Sequence, residues 1–414
     1  MFYYKYKNKI LISNKEYQDF DGVPESYAVN NSDIVYFLNN IDPLKSRRSF
    51  SISDPSLVFL KAENLDLLKK QYKNNLVFPD LLTSKIELRK AVSINTSYPD
   101  WMDTLDNTTP DKWTINVIGL GDVGGTLVTG LRLLGGEHIS KVGLYDRDEN
   151  KIKRWVYETG QIFAPFNDVC YPEICGIAQN QIFDCDMFVF CVSVGVPSVG
   201  NEGSDVRMAQ FEGNSRVIGS YAKLARTCGF KGIFAVVSDP VDLLCKSAFL
   251  QSNVDENNNM DFKGLCPEQI RGYGLGVMNA RAVYYARENP KTMHFLDEGR
   301  VFGPHGNGLV IADSIENYND ELSLFLTEKT RNANLDVRKT GFKPYIAPAF
   351  SSGCLSILAT ISGNWHYSAT FMGGVFMGSK NRQNKTGIEL EMLDIPKPLW
   401  KRLQDTYENL GKII

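Results

Sequence analysis

One stretch of the sequence constrains the fold more than any other: a strand, a glycine-rich turn, a helix and a second strand follow one another between residues 114 and 146. The first strand, "INVIG" (115–119), is a continuous apolar run, which is typical of a strand buried on both faces of a parallel sheet. The second strand is "KVGLYD" (141–146). This order predicts an α/β domain built on a doubly wound parallel sheet.

The turn after the first strand has the spacing G-x-G-x-x-G, at Gly119, Gly121 and Gly124. The first glycine allows a sharp turn, the second lets the backbone approach a pyrophosphate, and the third lets the helix pack closely on the strand. Asp122 and Val123 open the helix, where backbone N–H groups carry a partial positive charge that suits phosphate. We therefore expect these five residues to bind a dinucleotide cofactor.

Asp146 ends the second strand, 22 residues after Gly124. A carboxylate at this place accepts hydrogen bonds from the ribose hydroxyls of the cofactor. It would also repel a 2′-phosphate, which favours NAD over NADP, although the neighbouring Arg147 weakens this preference. The alternative interpretation is a structural glycine turn followed by a solvated aspartate.

The same texture continues after this unit. Two more apolar strands, "DMFVFCVSV" (186–194) and "GIFAVVSD" (232–239), enclose a segment of helical periodicity that ends in glycine. We expect a Rossmann-type dinucleotide-binding domain over residues 111–273. From residue 274 the regular alternation is lost and long helices mix with short strands, which predicts an α+β catalytic lobe over residues 274–414.

Residues 1–110 carry short strand-like runs and one charged segment, "AENLDLLKKQYKNN" (62–75), that predicts a helix. We expect them to form an added N-terminal α/β domain, and they contain no motif that assigns it a role. The segment 93–113 is rich in Asp, Thr, Asn and Pro, which predicts a linker at the end of this region.

Composition narrows the class of partner. The net charge of −3 and the pI near 5.9 provide no basic surface for nucleic acid or for an anionic membrane. No stretch is apolar enough to span a bilayer, and the N-terminus lacks the pattern of a signal peptide. These features favour a cytoplasmic protein that acts on a small molecule.

The eight cysteines form no CxxC pair, and several lie within apolar strand-like runs. This pattern is typical of reduced, buried thiols in a cytosolic protein. Cys170 and Cys175 lie five residues apart without a second pair or a nearby histidine. The sequence therefore predicts no zinc site and no other metal site.

The loop "VFGPHGNG" (301–308) places His305, one of only four histidines, between glycines and a proline. A loop histidine is commonly a solvated turn residue. The alternative is that a stiff loop holds an imidazole for chemistry, and the surrounding motifs decide between the two.

From about residue 115 to the C-terminus the motifs resemble those of the L-lactate/malate dehydrogenase family. The resemblance covers about three quarters of the chain and rests on five segments in the same order as in that family: "VSVGVP" (192–197), "RMAQFEGN" (207–214), "VVSDPVD" (236–242), "CPEQIRGYGLG" with "NARAVYYA" (266–286), and "GPHGNG" (303–308). The first is similar to the loop that passes over the nicotinamide. It implies that Ser193 and Gly195 contact the cofactor.

The resemblance also implies the roles of the polar residues. His305 would donate a proton to a substrate carbonyl and take it back in the reverse direction. Arg207, on a mobile loop, would polarise that carbonyl and help to exclude water. Arg281 would bind the substrate carboxylate through two parallel hydrogen bonds. Asn214 would lie behind the loop and contribute to substrate binding.

The chain departs from the family pattern at two positions. Met278 stands where the family has the aspartate that hydrogen-bonds the histidine, and a thioether cannot replace that bond. Asp239 stands where the family has an asparagine near the reacting carbonyl. We hypothesise that Asp239 takes over the role of the missing aspartate as the catalytic partner of His305.

These expectations point to an NAD-dependent oxidoreductase that interconverts a 2-hydroxy acid and a 2-oxo acid. The mobile loop "PSVGNEGSDVR" (197–207) has no basic residue before Arg207, which predicts a substrate with a non-acidic side chain. Two alternatives stay open: a relative that binds NAD without efficient catalysis, because of Met278, and a reductase of an imine or amine-bearing analogue, because of Asp239. The family resemblance further implies a homo-oligomer.

Overall fold

The protein folds around two large β-sheets, one formed by strands before residue 96 and one by strands from residue 113 onward. A computed structural model describes residues 1–71, 78–106, 108–166, 169–194 and 204–414. The side chains of residues 204–209 lie outside the described part. The domain limits near residues 110 and 273 stay a prediction.

The first sheet has six strands in the order β3-β1-β2-β4-β6-β5. Its three central strands are parallel to one another, and β1, β3 and β5 pair antiparallel with their neighbours. Its elements are β1 (Phe2–Tyr6), β2 (Lys9–Ser13), β3 (Asp21–Gly22), α1 (Glu25–Asn31), β4 (Val35–Asn39), β5 (Ser49–Ser51), α2 (Asp80–Glu87) and β6 (Ala91–Asn95).

The charged helix predicted over residues 62–75 is wrong. The described part of this segment contains only a short 3-10 helix, Leu65–Leu68, in which all three leucines are buried. Burial on successive positions leaves no solvent-facing stripe for an amphipathic helix. The chain then runs alongside the C-terminal segment, because the Lys70 N–H donates to the Leu393 carbonyl at 3.0 Å. Residues 72–77 lie outside the described residues.

The linker predicted over residues 93–113 is also wrong for much of its length, because this segment packs against the first sheet. Its first residues belong to β6, and Leu105 and Tyr98 are each 1% exposed. The Tyr98 hydroxyl reaches the carbonyl oxygens of Pro43 and Ser46, each at 2.9 Å. Buried aromatic and amide side chains fix this polar stretch, which its composition alone did not reveal.

The second sheet has nine strands in the order β17-β16-β15-β12-β11-β10-β7-β8-β9. Strands β7 to β12 are parallel and have the doubly wound order of a Rossmann-type sheet. The elements of this half are β7 (Trp113–Ile118), α3 (Asp122–Leu134), β8 (Ile139–Tyr145), α4 (Glu149–Gly160), β9 (Glu173–Gly176), β10 (Met187–Phe190), α5 (Ser204–Thr227), β11 (Ile233–Val236), α6 (Val241–Ser252) and β12 (Ile270–Gly272).

The remaining residues form an α+β lobe that extends the second sheet with three antiparallel strands. A separate two-stranded sheet, β13 with β14, carries the loop of His305 between its strands. The elements are α7 (Leu275–Arg287), α8 (Phe295–Glu298), β13 (Arg300–Phe302), β14 (Val310–Ala312), α9 (Asp320–Lys339), a π-helical turn (Pro348–Cys354), α10 (Leu355–Ile361), β15 (His366–Met372), β16 (Val375–Asn384), β17 (Gly387–Leu390) and α11 (Lys397–Ile413).

The register of the parallel strands aligns their carboxyl ends. Ile118 lies beside Phe190, Phe190 lies beside Val236, and Val236 lies beside Gly272. These residues are fully or almost fully buried, as expected for strands covered by helices on both faces. The loops that follow the four strands therefore emerge at one edge of the sheet, where ligands bind in open α/β sheets.

All eight cysteines are free thiols, in agreement with the sequence prediction. The prediction that these thiols are buried holds for Cys245, Cys266 and Cys354. It does not hold for Cys170 and Cys228, which are exposed. No helix in the described part of the chain is long and apolar enough to cross a membrane.

The two sheets are joined by buried ion pairs as well as by apolar contacts. The Arg48 guanidinium is 3% exposed and lies 2.6 Å from Asp100 and 3.1 Å from Glu268, which precedes β12. Further along the junction the hydroxyls of Ser51 and Thr386 lie 2.8 Å apart. The N-terminal sheet is thus anchored to the strands that carry the carboxyl-end loops.

We expect Arg48→Met to destabilise the protein by about 3–5 kcal/mol, because it leaves two partly buried carboxylates without their shared cation. Lys70→Met is the matched control, since Lys70 and Asp394 also join the N-terminal region to the C-terminal one but are each about half exposed. It should change stability by only about 0–1 kcal/mol. Urea unfolding followed by circular dichroism measures both, and equal midpoints would contradict the anchoring role of Arg48.

Candidate active site

The glycine-rich turn leaves an open space at the carboxyl end of β7. A Cβ atom on Gly124 would lie 2.0 Å from the Gly119 carbonyl oxygen, and Gly119 itself has φ +94° and sits against the backbone of Val192. These two glycines are therefore required by the fold. A Cβ on Gly121 would meet nothing within 4 Å, so the structure keeps free room at the position where the backbone must approach a pyrophosphate.

The N-terminus of α3 faces this space. Its N-cap residue is Gly121, which has no side chain to accept a capping hydrogen bond from the first N–H groups of the helix, those of Asp122 and Val123 onward. Such groups bind phosphate well. Lys343 lies 3.7 Å from the Asp122 carboxylate and brings the loop after α9 to the same turn.

Asp146 follows β8, at the edge of the same space. One oxygen of its carboxylate accepts the Leu120 N–H at 2.8 Å, and the other accepts the Asp148 N–H at 3.1 Å. These bonds fix the carboxylate next to the glycine turn, with each oxygen keeping a second lone pair. In this position the carboxylate could accept hydrogen bonds from the hydroxyl groups of a ribose. The glycine turn and Asp146 together therefore suit a dinucleotide.

The loop after β10 is tied to the loop after β11 by Asn214, on α5. Its side-chain oxygen accepts the Val194 N–H, and its amide nitrogen donates to the Asp239 carbonyl, both at 2.7 Å. Asn214 is 1% exposed. Both ends of its amide thus hold backbone groups, and contact between Asn214 and a substrate stays a prediction.

Three other predicted residues are only partly placed. Ser193 is exposed after the end of β10. Gly195 lies outside the described residues. Arg207 belongs to the first turns of α5, but its side chain lies outside the described part.

The loop of His305 is held in a conformation that depends on glycine. Gly303, Gly306 and Gly308 have φ of +90°, +144° and +88°. The Gly303 N–H donates to the Gly378 carbonyl at 2.9 Å, which ties the loop to β16. The tight bend thus presents the imidazole from a fixed backbone rather than from a solvated turn.

His305 and Asp239 form a direct pair. Nδ1 of the imidazole lies 2.8 Å from an Asp239 carboxylate oxygen. The histidine side chain is 16% exposed and the aspartate side chain is 58% exposed. The pair therefore lies at the carboxyl edge of the sheet. Asp239 contacts only Nδ1 of His305, and the other ring nitrogen, Nε2, does not face it.

Arg281 lies nearby on α7. Burial lowers the pKa of its guanidinium, and the negative charge of Asp239 acts in the opposite direction, so the two groups interact. Nη1 of Arg281 lies 3.8 Å from the Met278 sulfur, and Met278 is 2% exposed. Met278 thus packs beside the arginine, while the partner of His305 comes from the loop after β11.

One residue was missed by the sequence analysis. Asp242 lies in the first turn of α6, three residues after Asp239, and is 5% exposed. Burial raises the pKa of its carboxyl to about 7, although backbone N–H groups that include those of His305 and Gly378 favour the charged form. Its place within the motif "VVSDPVD" was the available signal.

No cluster of three or more histidine, cysteine, aspartate or glutamate side chains that could hold a metal ion exists among the residues that the structure describes. The groups brought together at the sheet edge are therefore an imidazole–carboxylate pair, a guanidinium and an open glycine turn. Such a set can transfer a proton and bind an anionic group next to a dinucleotide.

Comparison with known proteins supports this assignment of the glycine turn. Residues 113–261 match the family described as lactate/malate dehydrogenase, NAD binding domain. The L-lactate dehydrogenase of Oceanobacillus iheyensis is 24% identical over 198 residues, which are 46% of this chain and 53% of that protein. The L-lactate dehydrogenase of Mycoplasma genitalium is 29% identical over 132 residues, 32% of this chain and 37% of that protein. The chain thus spans about half the length, or less, of these relatives.

Solved structures share the fold over a longer part of the chain. A lactate dehydrogenase from a Medee basin deep-sea metagenome library, MGS-M5, has a TM-score of 0.58 and 18% identity, and covers 73% of this chain and 98% of its own. The malate dehydrogenase of Picrophilus torridus has a TM-score of 0.57 and 16% identity, and covers 72% of this chain and 95% of its own. The remaining quarter or so has no counterpart in either structure.

We expect Gly121→Ala to fold normally and to weaken NADH binding by about tenfold or more, equivalent to about 1.4 kcal/mol, because the added methyl fills the approach to the pyrophosphate. Gly160→Ala is the control, since a Cβ there also meets nothing within 4 Å but lies at the far end of α4. NADH fluorescence titration gives the affinities and thermal unfolding tests the fold. Unchanged affinity in Gly121→Ala would contradict the cradle.

Proposed function

We propose that the chain is an NAD-dependent oxidoreductase that interconverts a 2-hydroxy acid and a 2-oxo acid with a non-acidic side chain, because residues 113–261 match the NAD-binding domain of the lactate/malate dehydrogenases and its relatives include L-lactate dehydrogenases. The observation that carries this proposal is the 2.8 Å contact between His305 and Asp239 at the sheet edge that also bears the glycine turn. This reaction requires a group that transfers a proton next to the site that binds the dinucleotide.

NAD supplies the hydride chemistry when it is bound. The residues of the chain do the rest. In the direction of reduction, His305 donates a proton to the substrate oxygen from the ring nitrogen that does not face Asp239. In the direction of oxidation, the same nitrogen accepts the hydroxyl proton. The glycine loop keeps the imidazole in place, so that little conformational entropy is lost in positioning it when the reaction occurs.

Arg281 binds the substrate carboxylate. Its guanidinium is half-buried next to the acid–base pair, and a planar fork can make two parallel hydrogen bonds to a carboxylate. Arg207, whose backbone lies at the start of α5, would polarise the substrate carbonyl, as the family resemblance implies. The absence of a basic residue in the sequence from Pro197 to Val206 supports a substrate without a second carboxylate.

Asp239 replaces the aspartate that the family pattern has at position 278. It accepts a hydrogen bond from Nδ1 of His305, which fixes the tautomer and places the reactive lone pair or proton on the other nitrogen. A carboxylate in this place also stabilises the imidazolium that donates the proton. The His–Asp pair is therefore retained with its carboxylate moved to the loop after β11.

Asp239 also supports a second candidate, reduction of a C=N bond or of a substrate with a neighbouring amine. Its carboxylate is 58% exposed and is close enough to Arg281 to affect its pKa, so the site presents one negative and one positive group. A substrate with a carboxylate and a cationic nitrogen would complement both charges. A third candidate, an NAD-binding protein without catalysis, rests on Met278 alone.

These candidates are separated by testing a panel of 2-oxo acids, with and without ammonia or methylamine. Oxidation of NADH is followed by the loss of its absorbance. We expect turnover of monocarboxylic 2-oxo acids and a loss of about 10²- to 10⁴-fold in His305→Ala. His138→Ala, a substitution of a partly exposed histidine beside Glu137, is the control and should keep full activity. Amine-dependent turnover would favour the second candidate, and NADH binding without any turnover would favour the third.

Asp239→Asn tests the relocated pair. Its amide keeps the shape but cannot supply the negative charge, so we expect kcat to fall by roughly 10²-fold or more while NADH affinity stays unchanged. Met278→Asp is the complementary variant, because it restores the family position of the carboxylate. Steady-state kinetics on the best substrate of the panel measure both. Full activity of Asp239→Asn would show that His305 does not need this carboxylate.

A further inference from the structure

An acidic residue stands at the position where a phosphate group should bind. Asp122 is the first residue of α3 and directly follows Gly121, where the structure keeps free room. A helix N-terminus attracts negative charge, and here a carboxylate and the pyrophosphate of a dinucleotide would both lie at it. Two like charges at one helix end repel each other and oppose binding of the cofactor. A cation beside Asp122 would remove this conflict.

Lys343 brings such a cation from the α+β lobe. Its ammonium lies 3.7 Å from the Asp122 carboxylate, and the two side chains are 59% and 55% exposed. An ion pair this open adds little to the stability of a protein, so stability does not explain the contact. Its place does, because the pair lies at the end of α3 that faces the open space at Gly121. More than half of each side chain is free to meet a third group.

The segment that carries Lys343 is packed against α3 itself. The π-helical turn Pro348–Cys354 lies on the middle of this helix. A Cβ on Gly130 would lie 2.6 Å from the Cys354 sulfur, and a Cβ on Gly353 would lie 2.6 Å from the Leu127 side chain. Such close packing leaves the turn no room to shift along α3. The segment is therefore fixed relative to the helix whose N-terminus faces the cofactor space.

Backbone hydrogen bonds lead from this turn to Lys343. The Ala349 N–H donates to the Tyr345 carbonyl at 3.0 Å, and the Tyr345 N–H donates to the Lys343 carbonyl at 3.2 Å. On the other side Gly341 has φ +88°, a conformation that glycine accepts readily, and it lets the chain turn after α9. Lys343 thus has a held backbone and an exposed ammonium next to the glycine turn.

We propose that Lys343 binds the pyrophosphate of NAD and at the same time neutralises Asp122. An ammonium has three N–H donors, so one group can serve both a carboxylate and a phosphate oxygen. The N–H groups at the start of α3 can bind further phosphate oxygens. The inference deepens the proposed function, because it rests on NAD as the cofactor. It does not depend on which substrate is turned over, or on whether any is.

The substrate is the competing partner for this cation. Lys343 belongs to the same lobe as His305 and Arg281, and its ammonium could instead pair with a second carboxylate of a substrate. The contact with Asp122 favours the pyrophosphate, because Asp122 opens the helix at the glycine turn, whereas His305 pairs with the loop after β11. The experiment therefore uses ADP-ribose, which has the pyrophosphate but neither the nicotinamide nor a carboxylate.

We expect Lys343→Gln to weaken ADP-ribose binding by about fivefold or more, because a cation is lost and the charge of Asp122 is left to repel the phosphates. Isothermal titration calorimetry on the full chain measures the affinity. Lys339→Gln is the matched control, since Lys339 ends α9, is 75% exposed and pairs with Asp336 at 3.0 Å. It makes the same change of charge and should bind ADP-ribose as tightly as the natural sequence does.

Two further readouts separate phosphate binding from a structural role of the ion pair. Asp122→Asn removes the repulsion, so Lys343→Gln should cost clearly less affinity in the Asp122→Asn background than in the natural sequence. Added sodium chloride should weaken ADP-ribose binding in the natural sequence and do so much less in Lys343→Gln, because salt screens the attraction that this variant lacks. A merely structural pair would change the melting temperature and neither of these quantities.

Several outcomes would overturn the proposal. One is an ADP-ribose affinity of Lys343→Gln equal to that of Lys339→Gln, and another is an effect of Lys343→Gln that is the same with and without the Asp122 carboxylate. If Lys343→Gln leaves ADP-ribose binding intact but raises the KM of a dicarboxylic 2-oxo acid, the cation serves the substrate and the proposal is wrong.

Binding and turnover distinguish this proposal from the proposed function. If the natural sequence binds ADP-ribose and Lys343→Gln weakens that binding, but no substrate is turned over, the proposed reaction fails and the role of Lys343 stands. If 2-oxo acids are reduced and ADP-ribose binding does not depend on Lys343, the proposed reaction stands and the role of Lys343 fails. If neither NADH nor ADP-ribose binds, both fail.

Discussion

The register of four parallel strands is the constraint on which the site depends. Ile118, Phe190, Val236 and Gly272 lie side by side, so the loops that follow them begin at one edge of the sheet. Contacts then pass from loop to loop: Gly119 sits against Val192, Asn214 joins Val194 to Asp239, and Asp239 meets His305. If the pairing register of one of these strands moved by one residue, each of its side chains would point to the opposite face of the sheet. The glycine turn and the acid–base pair would then no longer be brought together.

Charge is concentrated in the turn between β11 and α6. Asp239 pairs with the imidazole ring of His305, and Asp242, three residues further along the chain, is buried. Two carboxyls so close together do not ionise independently. Burial raises the pKa of the Asp242 carboxyl to about 7, and the neighbouring Asp239 raises it further. Met278, by contrast, fills space beside Arg281 and takes no part in this network except through its sulfur.

The first sheet is the part of the chain for which sequence patterns gave least information. The helix expected over residues 62–75 is a short 3-10 turn, because three buried leucines and the bond from Lys70 to Leu393 hold the segment in place. The polar stretch around Tyr98, in which Asp100 pairs with Arg48, is part of a buried junction rather than a linker. In both cases partners distant in sequence override local preference, and composition does not reveal partners.

The sequence by itself determined the doubly wound sheet, the glycine turn and the histidine loop, because these depend on local spacing: apolar runs make buried strands, and glycine readily accepts a φ near +90°, as at Gly119 and Gly303. Only the tertiary structure decided that Asn214 joins the Val194 N–H to the Asp239 carbonyl, and that Asp242 is buried. These facts depend on which loops meet at the sheet edge, and such meetings join residues more than sixty positions apart along the chain.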